Sequence, residues 1–188
     1  MIYIVLAAGV SRRMGFAKVF APLPDEGVTP LERIAAFLDG REWIAVVPSA
    51  HRDAATRMAA HARLAMNDSP ARGMTHSLRC GLEFVDAASS FGVLLGDKPF
   101  LKPATLDRME TEFAGFDVAY PVSVKDVPGH PVLFSPRVRE ILSRLPDGDA
   151  LAQLRDHPSL RRSAVRIDDP GAFLDLDEPA QWKAVRDA

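Results

Sequence analysis

Short runs of consecutive apolar residues recur along the first half of the chain. They occupy residues 2–8, 43–47 and 91–95, and each is followed directly by glycine or proline. Uninterrupted apolar runs of this length are typical of strands buried on both faces, as in parallel sheets. The three runs therefore predict three central strands.

Helical patterns separate these runs. Thr29, Pro30 and Glu32 combine an N-cap hydroxyl, a first-turn proline and a glutamate at the capping-box position. An alanine-rich segment predicts a second helix at about 52–64, and apolar spacing predicts a third over 74–85. Alternating strands and helices indicate a parallel sheet covered on both faces. The expected fold is a single three-layer α/β/α domain over 1–188, with a mostly parallel, Rossmann-like sheet.

The second half is less regular. Its apolar segments predict strands at 116–122, 131–134, 162–167 and 172–176. Helices are predicted at 136–145 and 178–185.

Composition narrows the class of partner. The 188 residues carry a formal charge of −2, with no long block of lysine and arginine, so nothing favours nucleic acid as a partner. No apolar run approaches the length of a membrane span, and no positive residue precedes the first run as a signal peptide requires. A single cysteine, Cys80, cannot form an internal disulfide. We therefore expect a cytoplasmic protein that does not bind membranes.

The most informative segment follows the first predicted strand. It reads LAAGVSRRMGFAK over residues 6–18. An open parallel sheet binds its ligand at this end of a strand. Small residues let the backbone approach phosphate oxygens, and Arg13 and Lys18 can neutralise phosphate charge. The spacing fits neither a Walker loop nor the dinucleotide fingerprint.

This segment resembles the N-terminal signature LAAGxSxRMGxxK of the MobA-like nucleotidyltransferases, which include molybdenum cofactor guanylyl- and cytidylyltransferases. The resemblance implies the fold of nucleotide-diphospho-sugar transferases. It also implies nucleotide binding by the residues of this segment: Leu6, Ala7, Ala8, Gly9, Ser11, Arg13, Met14, Gly15 and Lys18.

Three further segments match the family in order, so that the resemblance spans nearly the whole chain. Asn67 with Gly73, Met74 and Ser77 resembles the family's segment near the base and ribose. Residues 96–99, GDKP, resemble its metal-binding Gly-Asp-x-Pro, and residues 129–134, GHPVLF, resemble a block of the cytidylyltransferase-like members.

Two carboxylates are the expected metal ligands. Asp97 directly follows a buried strand, and Mg²⁺ takes one or two carboxylates together with phosphate oxygens and water. Asp175 and Asp177 lie in a segment resembling the family's Asp-Ile-Asp-Thr-Pro. Asp177 is a good helix N-cap before Glu178-Pro179, whereas Asp175 has no such visible duty. Asp175 is therefore preferred as the second ligand.

The residues expected to face the acceptor match the family pattern less closely. His130 is expected to line the acceptor site, since an acceptor phosphate is already ionised and hardly needs a general base. A purely structural role for this histidine stays open. Lys98 stands where the cytidylyltransferases usually have Gln, and Pro128 where they commonly have Arg. Both departures concern the acceptor and leave the nucleotide chemistry intact.

The resemblance implies a Mg²⁺-dependent enzyme, with Arg13, Lys18 and Asp97 as its catalytic residues. It would transfer a nucleoside monophosphate, with CTP favoured over GTP, to molybdopterin cofactor or another phosphorylated acceptor such as a sugar or polyol phosphate. A molybdoenzyme or a chaperone is an expected protein partner. The alternatives are a NAD-dependent oxidoreductase, which needs a fuller glycine fingerprint, and a non-catalytic nucleotide-binding relative.

Overall fold

Seven strands form one sheet in the computed structural model, which describes residues 1–9, 18–23, 26–148 and 151–176. The strands are β1 (Ile2–Leu6), β2 (Glu42–Val47), β3 (Arg63–Met66), β4 (Phe91–Leu95), β5 (Val118–Val122), β6 (Val132–Phe134) and β7 (Arg162–Arg166). Their order is β3-β2-β1-β4-β6-β5-β7. Only β6 among these strands pairs antiparallel with its neighbours, β4 and β5. The carboxyl ends of the other six strands therefore meet at one edge of the sheet.

Helices cover both faces of this sheet. They are α1 (Pro30–Phe37), α2 (Arg52–Met58), α3 (Met74–Leu82), α4 (Pro103–Glu112), α5 (Val138–Arg144) and α6 (Leu151–Arg155). Side chains of α1, α2 and α4 pack against one face in one buried cluster, and those of α3, α5 and α6 pack against the other. Tyr3 and Val5 of β1 point to the first cluster and Ile4 and Leu6 to the second, as strand alternation requires. The predicted three-layer α/β class is confirmed.

The predicted helix start at Thr29 is also confirmed. The Thr29 hydroxyl accepts a hydrogen bond from the Glu32 amide, and the Glu32 carboxylate accepts one from the Thr29 amide. These reciprocal bonds satisfy two amides at the start of α1 that the helix itself leaves unbonded.

Several predicted elements were wrong or missed. The helix predicted at 52–64 ends at Met58, and the end of that segment begins β3. Alanine favours helix, but pairing of β3 with the buried β2 overrides this local preference. The strand predicted at 172–176 is not formed, because Asp169 caps a 3₁₀ turn at Pro170–Ala172. Helices α4 and α6 were not predicted. The helix predicted at 178–185 lies outside the described residues.

Within the described part of the chain, no helix is both long and apolar enough to cross a membrane.

Candidate active site at the carboxyl edge of the sheet

The loop after β1 lies at the centre of the carboxyl edge. Ala7 and Ala8 are buried, and the Ala7 amide donates a hydrogen bond of 2.9 Å to the carbonyl of Val46 in β2. Gly9 is exposed, and a Cβ on it would meet no atom of the described residues within 4 Å. Lys18 begins a short 3₁₀ turn and is half-buried. The predicted nucleotide-binding residues Ser11, Arg13, Met14 and Gly15 lie outside the described residues.

Asp97 is held beside this loop by the backbone of its neighbour. The Gly96 amide donates a hydrogen bond of 3.0 Å to the Leu6 carbonyl. A Cβ on Gly96 would lie 3.1 Å from that carbonyl oxygen and 3.2 Å from Cα of Ala7, so only glycine allows this approach without a shift. The end of β4 thereby packs directly on the end of β1. The structure thus brings the predicted metal ligand to Leu6 and Ala7, where the predicted phosphate loop begins.

Lys98 joins this edge to the C-terminal segment. Its side chain is only 5% exposed, and Nζ lies 2.7 Å from Oδ1 of Asp175 and 3.3 Å from the Leu174 carbonyl oxygen. Burial of an ammonium group is costly unless it is paired, and Asp175 supplies the partner. The sequence identified Lys98 only as a departure from the family pattern, so this pairing was missed. Asp175 is therefore paired with the residue that directly follows Asp97 in the chain.

The side chains at this edge fit a magnesium ion that binds together with a phosphate substrate. No group of three or more His, Cys, Asp or Glu side chains that could hold a metal occurs among the described residues. Mg²⁺ needs only one or two protein carboxylates when phosphates and water complete its coordination. Asp97 provides one. Oδ1 of Asp175 is paired with Lys98, and the role of Asp175 as the second ligand stays a prediction.

His130 lies on the same edge as a half-buried neutral group. Its Nδ1 is 3.2 Å from the Val93 carbonyl oxygen, and its amide donates to the Ala172 carbonyl. Burial lowers the pKa of His130 to about 4, and the positive charges of Lys98 and Arg155 act in the same direction. Because a carbonyl oxygen only accepts hydrogen bonds, we assign the proton to Nδ1. Nε2 of the neutral ring is then a hydrogen-bond acceptor, suited to a hydroxyl or amine and unsuited to a phosphate.

The Asn67 segment lies at the start of α3, where the sequence placed base and ribose contacts. Asn67 is fully buried, and its Nδ2 donates to Oγ of Ser77 at 2.9 Å. The Ser77 hydroxyl also lies 3.2 Å from the Gly73 carbonyl oxygen. These bonds fix the first turn of α3, which begins at Met74, against the end of β3. The Asn67 and Ser77 side chains are thus occupied in the fold, and nucleotide contacts in this segment stay a prediction.

A segment from the second half of the chain lies over this turn. The Gly148 carbonyl accepts hydrogen bonds from the Thr75 amide at 2.9 Å and from its hydroxyl at 2.8 Å. Asp147 accepts from Arg72 at 2.6 Å and from Arg79 at 2.7 Å. Locally, the sequence PDGD at 146–149 is typical of a turn or a cap, and the partners of Asp147 and Gly148 lie about 70 residues away along the chain, so that no local pattern identifies them.

Comparison with known proteins agrees with this geometry. The family model of the MobA-like NTP transferase domain matches residues 3–165, which is most of the chain. The chain belongs to the MobA-like NTP transferase family. It is thus a nucleotidyltransferase of the MobA-like type, as the loop and the Gly-Asp-x-Pro segment predicted. No functionally curated protein matches it significantly by sequence.

Solved structures of MobA-like proteins share this fold over nearly their full length. The crystal structure of Rv0371c from Mycobacterium tuberculosis H37Rv superposes with a TM-score of 0.78 at 28% identity, covering 100% of this chain and 97% of that one. Its manganese complex gives 0.74 at 25%, with 100% and 98% covered. Molybdopterin-guanine dinucleotide biosynthesis protein A from Archaeoglobus fulgidus gives 0.72 at 21%, with 100% and 97% covered.

Proposed function

We propose that this MobA-like protein transfers a nucleoside monophosphate from CTP to a phosphorylated small molecule in a Mg²⁺-dependent reaction that releases pyrophosphate. The preferred acceptor is molybdopterin cofactor. One observation carries the proposal: the bond from Gly96 to Leu6 places Asp97 against the loop that opens the phosphate-binding signature. A carboxylate for a divalent metal and a small-residue loop for phosphates therefore lie at one edge.

The proposed chemistry is in-line attack of an acceptor phosphate oxygen on the α-phosphorus of the triphosphate. Both groups are strongly anionic, so their repulsion is a main part of the barrier. Arg13 and Lys18 would bind the triphosphate oxygens and offset that charge, while the backbone at 7–9 orients the nucleotide. Mg²⁺ held by Asp97, with Asp175 as the proposed second ligand, would supply further charge neutralisation. The manganese complex of Rv0371c supports a divalent ion in this fold.

Support for the acceptor is of two kinds. A MobA-like structural neighbour is described as a molybdopterin-guanine dinucleotide biosynthesis protein, which favours molybdopterin. Lys98 and Pro128 depart from the cytidylyltransferase pattern, which favours a sugar, polyol or other small phosphate as the runner-up. The nucleotide half of the reaction is common to both.

The direct test is pyrophosphate release from CTP in the presence of Mg²⁺ and either molybdopterin or a panel of sugar and polyol phosphates. We expect release with at least one acceptor and its abolition by EDTA. Tight binding of CTP without turnover on any acceptor would instead favour a non-catalytic nucleotide-binding relative.

The phosphate loop should govern triphosphate affinity. We expect Arg13→Ala and Lys18→Ala each to weaken CTP binding about tenfold or more, because each removes a cation from the phosphates. Isothermal titration with Mg²⁺ and CTP measures this change. Arg57→Ala on α2 is the control, since it removes an exposed arginine away from the loop. Unchanged CTP affinity in both loop variants would contradict the assignment.

Base choice is expected to favour CTP over GTP. The guanylyltransferases usually carry glycine where this chain has Ala8, and the GHPVLF block points to the cytidylyltransferases. Ala8 is 1% exposed and belongs to the same buried cluster as Leu78 of α3. Met74, the first residue of α3, packs against this cluster. The Ala8 methyl group is therefore part of the core beneath the loop, and it would affect base choice through the position of the loop relative to α3. A methyl group changes such a preference by about 10–200-fold at most.

Competition between CTP and GTP in wild type and Ala8→Gly measures this preference. We expect CTP to be favoured in the wild type and the ratio to move toward GTP in the variant. A wild-type preference for GTP would show that the base prediction is wrong. An unchanged ratio in Ala8→Gly would remove residue 8 as its cause.

A further inference from the structure

A second concave region lies on the carboxyl edge, away from the phosphate loop. It is a hollow of about 400 Å³ at the ends of β5 and β7. Its floor is formed by Tyr120, Val122 and Ala164, and Pro128 closes one side. Tyr120 packs against the α6 side of the sheet, and strand register places Ala164 opposite it. The volume is within the range of about 300–1,000 Å³ found for small-molecule sites.

Two arginines stand at this hollow in fixed positions. The guanidinium of Arg155 lies 5.1 Å from the centre of the Tyr120 ring and is bonded to Asp156 at 2.9 and 2.6 Å. Arg166 donates to the Ser123 carbonyl at 2.9 Å and to Asp126 at 2.8 Å. Each guanidinium has five N–H donors, and these bonds use two of them. Both groups are therefore oriented before any ligand arrives, which lowers the entropic cost of binding.

Arg155 and Arg166 are the two cations of the lining, and Asp126 is its carboxylate. Arg155 is paired with Asp156 and Arg166 with Asp126, so an anion would bind through the N–H donors that these pairs leave open. The floor between them is apolar or aromatic. A ligand part that suits this surface combines a flat or apolar body with an anionic group, since guanidinium binds carboxylate and phosphate in pairs of hydrogen bonds.

The hollow is linked along the chain to the site of the proposed reaction. Pro128 is followed directly by Gly129 and His130, and the Gly129 amide is bonded to the Pro121 carbonyl in β5. His130 lies within electrostatic reach of both Lys98 and Arg155. His130 thus lies in the segment between the two regions, and its Nε2 would be a hydrogen-bond acceptor for a ligand that reaches both.

We propose that the Arg155–Arg166 hollow binds the part of the acceptor remote from the reacting phosphate, and that this part carries a second anionic group. The assignment rests on the proposed nucleotidyl transfer. It favours the runner-up acceptors over molybdopterin, which has one phosphate and no carboxylate. The favoured class is phosphorylated molecules that bear a further carboxylate or phosphate next to an apolar or planar body.

Two matched probes test this, 4-carboxyphenyl phosphate and phenyl phosphate, which differ only in the second anionic group. Their affinities are measured by titration calorimetry with Mg²⁺ and a non-hydrolysable CTP analogue present. We expect 4-carboxyphenyl phosphate to bind wild-type protein about tenfold more tightly, the effect of one added charged pair. Arg155→Gln and Arg166→Gln should each reduce this ratio toward one. Arg161→Gln, an exposed arginine just before β7, should leave it unchanged.

The outcomes distinguish failure of the hollow assignment from failure of the proposed function. Equal affinity of the two probes, no binding of either at about 10 mM, or a ratio that survives both hollow variants overturns the assignment of the hollow. The CTP analogue is titrated alone in the same experiment. Its failure to bind wild-type protein would contradict the proposed function itself, whereas its normal binding in all three variants confines any failure to the acceptor side.

Discussion

Replacing Asp97 by asparagine is expected to lower turnover by about 10²–10³-fold or more while leaving the fold intact. The amide is nearly isosteric with the carboxylate, but it carries no charge and is a much weaker ligand for Mg²⁺. Asp97 lies beside the loop at 7–9, so the lost charge would fall where the metal and phosphates are expected to meet. Pyrophosphate release and circular dichroism of the purified variant measure the two effects.

A second measurement separates metal binding from general damage. The affinity of Asp97→Asn for CTP, measured by titration, should depend much less on Mg²⁺ than the affinity of the wild type does. Asp39→Asn changes an exposed aspartate between α1 and β2 and serves as the control, with normal turnover and normal metal dependence. Near-normal turnover in Asp97→Asn would remove Asp97 from the metal role.

Gly171→Ala is expected to lower the free energy of unfolding by about 3 kcal/mol or more. An added Cβ would lie 2.1 Å from the Phe100 carbonyl oxygen and 2.7 Å from the Leu101 amide nitrogen, and backbone atoms there cannot move aside cheaply. The contact is relevant to the site because it packs the segment leading to Asp175 onto the chain just after Lys98. Urea unfolding measures the loss.

Gly40→Ala provides a matched comparison for this loss. Gly40 has φ +74 with open space around its Cβ position, so alanine there costs only the left-handed backbone strain of about 1 kcal/mol. A loss in Gly171→Ala no larger than that in Gly40→Ala would show that the segment shifts freely, and that Gly171 does not fix the C-terminal segment on the edge.

The fold class was predictable because its signals are local. Buried parallel strands read as continuous apolar runs, and the capping box at Thr29 marks a helix start within four residues. β3 was not predictable in this way, since it has only four residues and is separated by only four residues from the end of an alanine-rich helix. Its identity as a strand depends on pairing with β2, a contact made at a distance along the chain.

The candidate site also combines local features, which the sequence predicts, with long-range contacts, which it does not. Asp97 and Gly9 lie within three residues of a strand end, so their position at the carboxyl edge of the sheet was predictable, whereas their contacts with a ligand stay a prediction. The partners of Lys98 and the two arginines of the hollow come from segments that meet only in three dimensions. Lys98 and Asp175 are 77 residues apart in sequence, and no spacing pattern could have paired them.

The binding of a triphosphate by the wild-type protein is the most direct test of the central claim, because every proposed role depends on it. Thermal unfolding is followed with CTP, GTP and ATP at about 1 mM, each with and without Mg²⁺. A ligand at about 100 times its dissociation constant stabilises the native state by about 2.7 kcal/mol. For a chain of this size, the account predicts a rise in melting temperature of about 5–10 °C with CTP and Mg²⁺, and a smaller rise without the metal. No shift with any of the three triphosphates would contradict it.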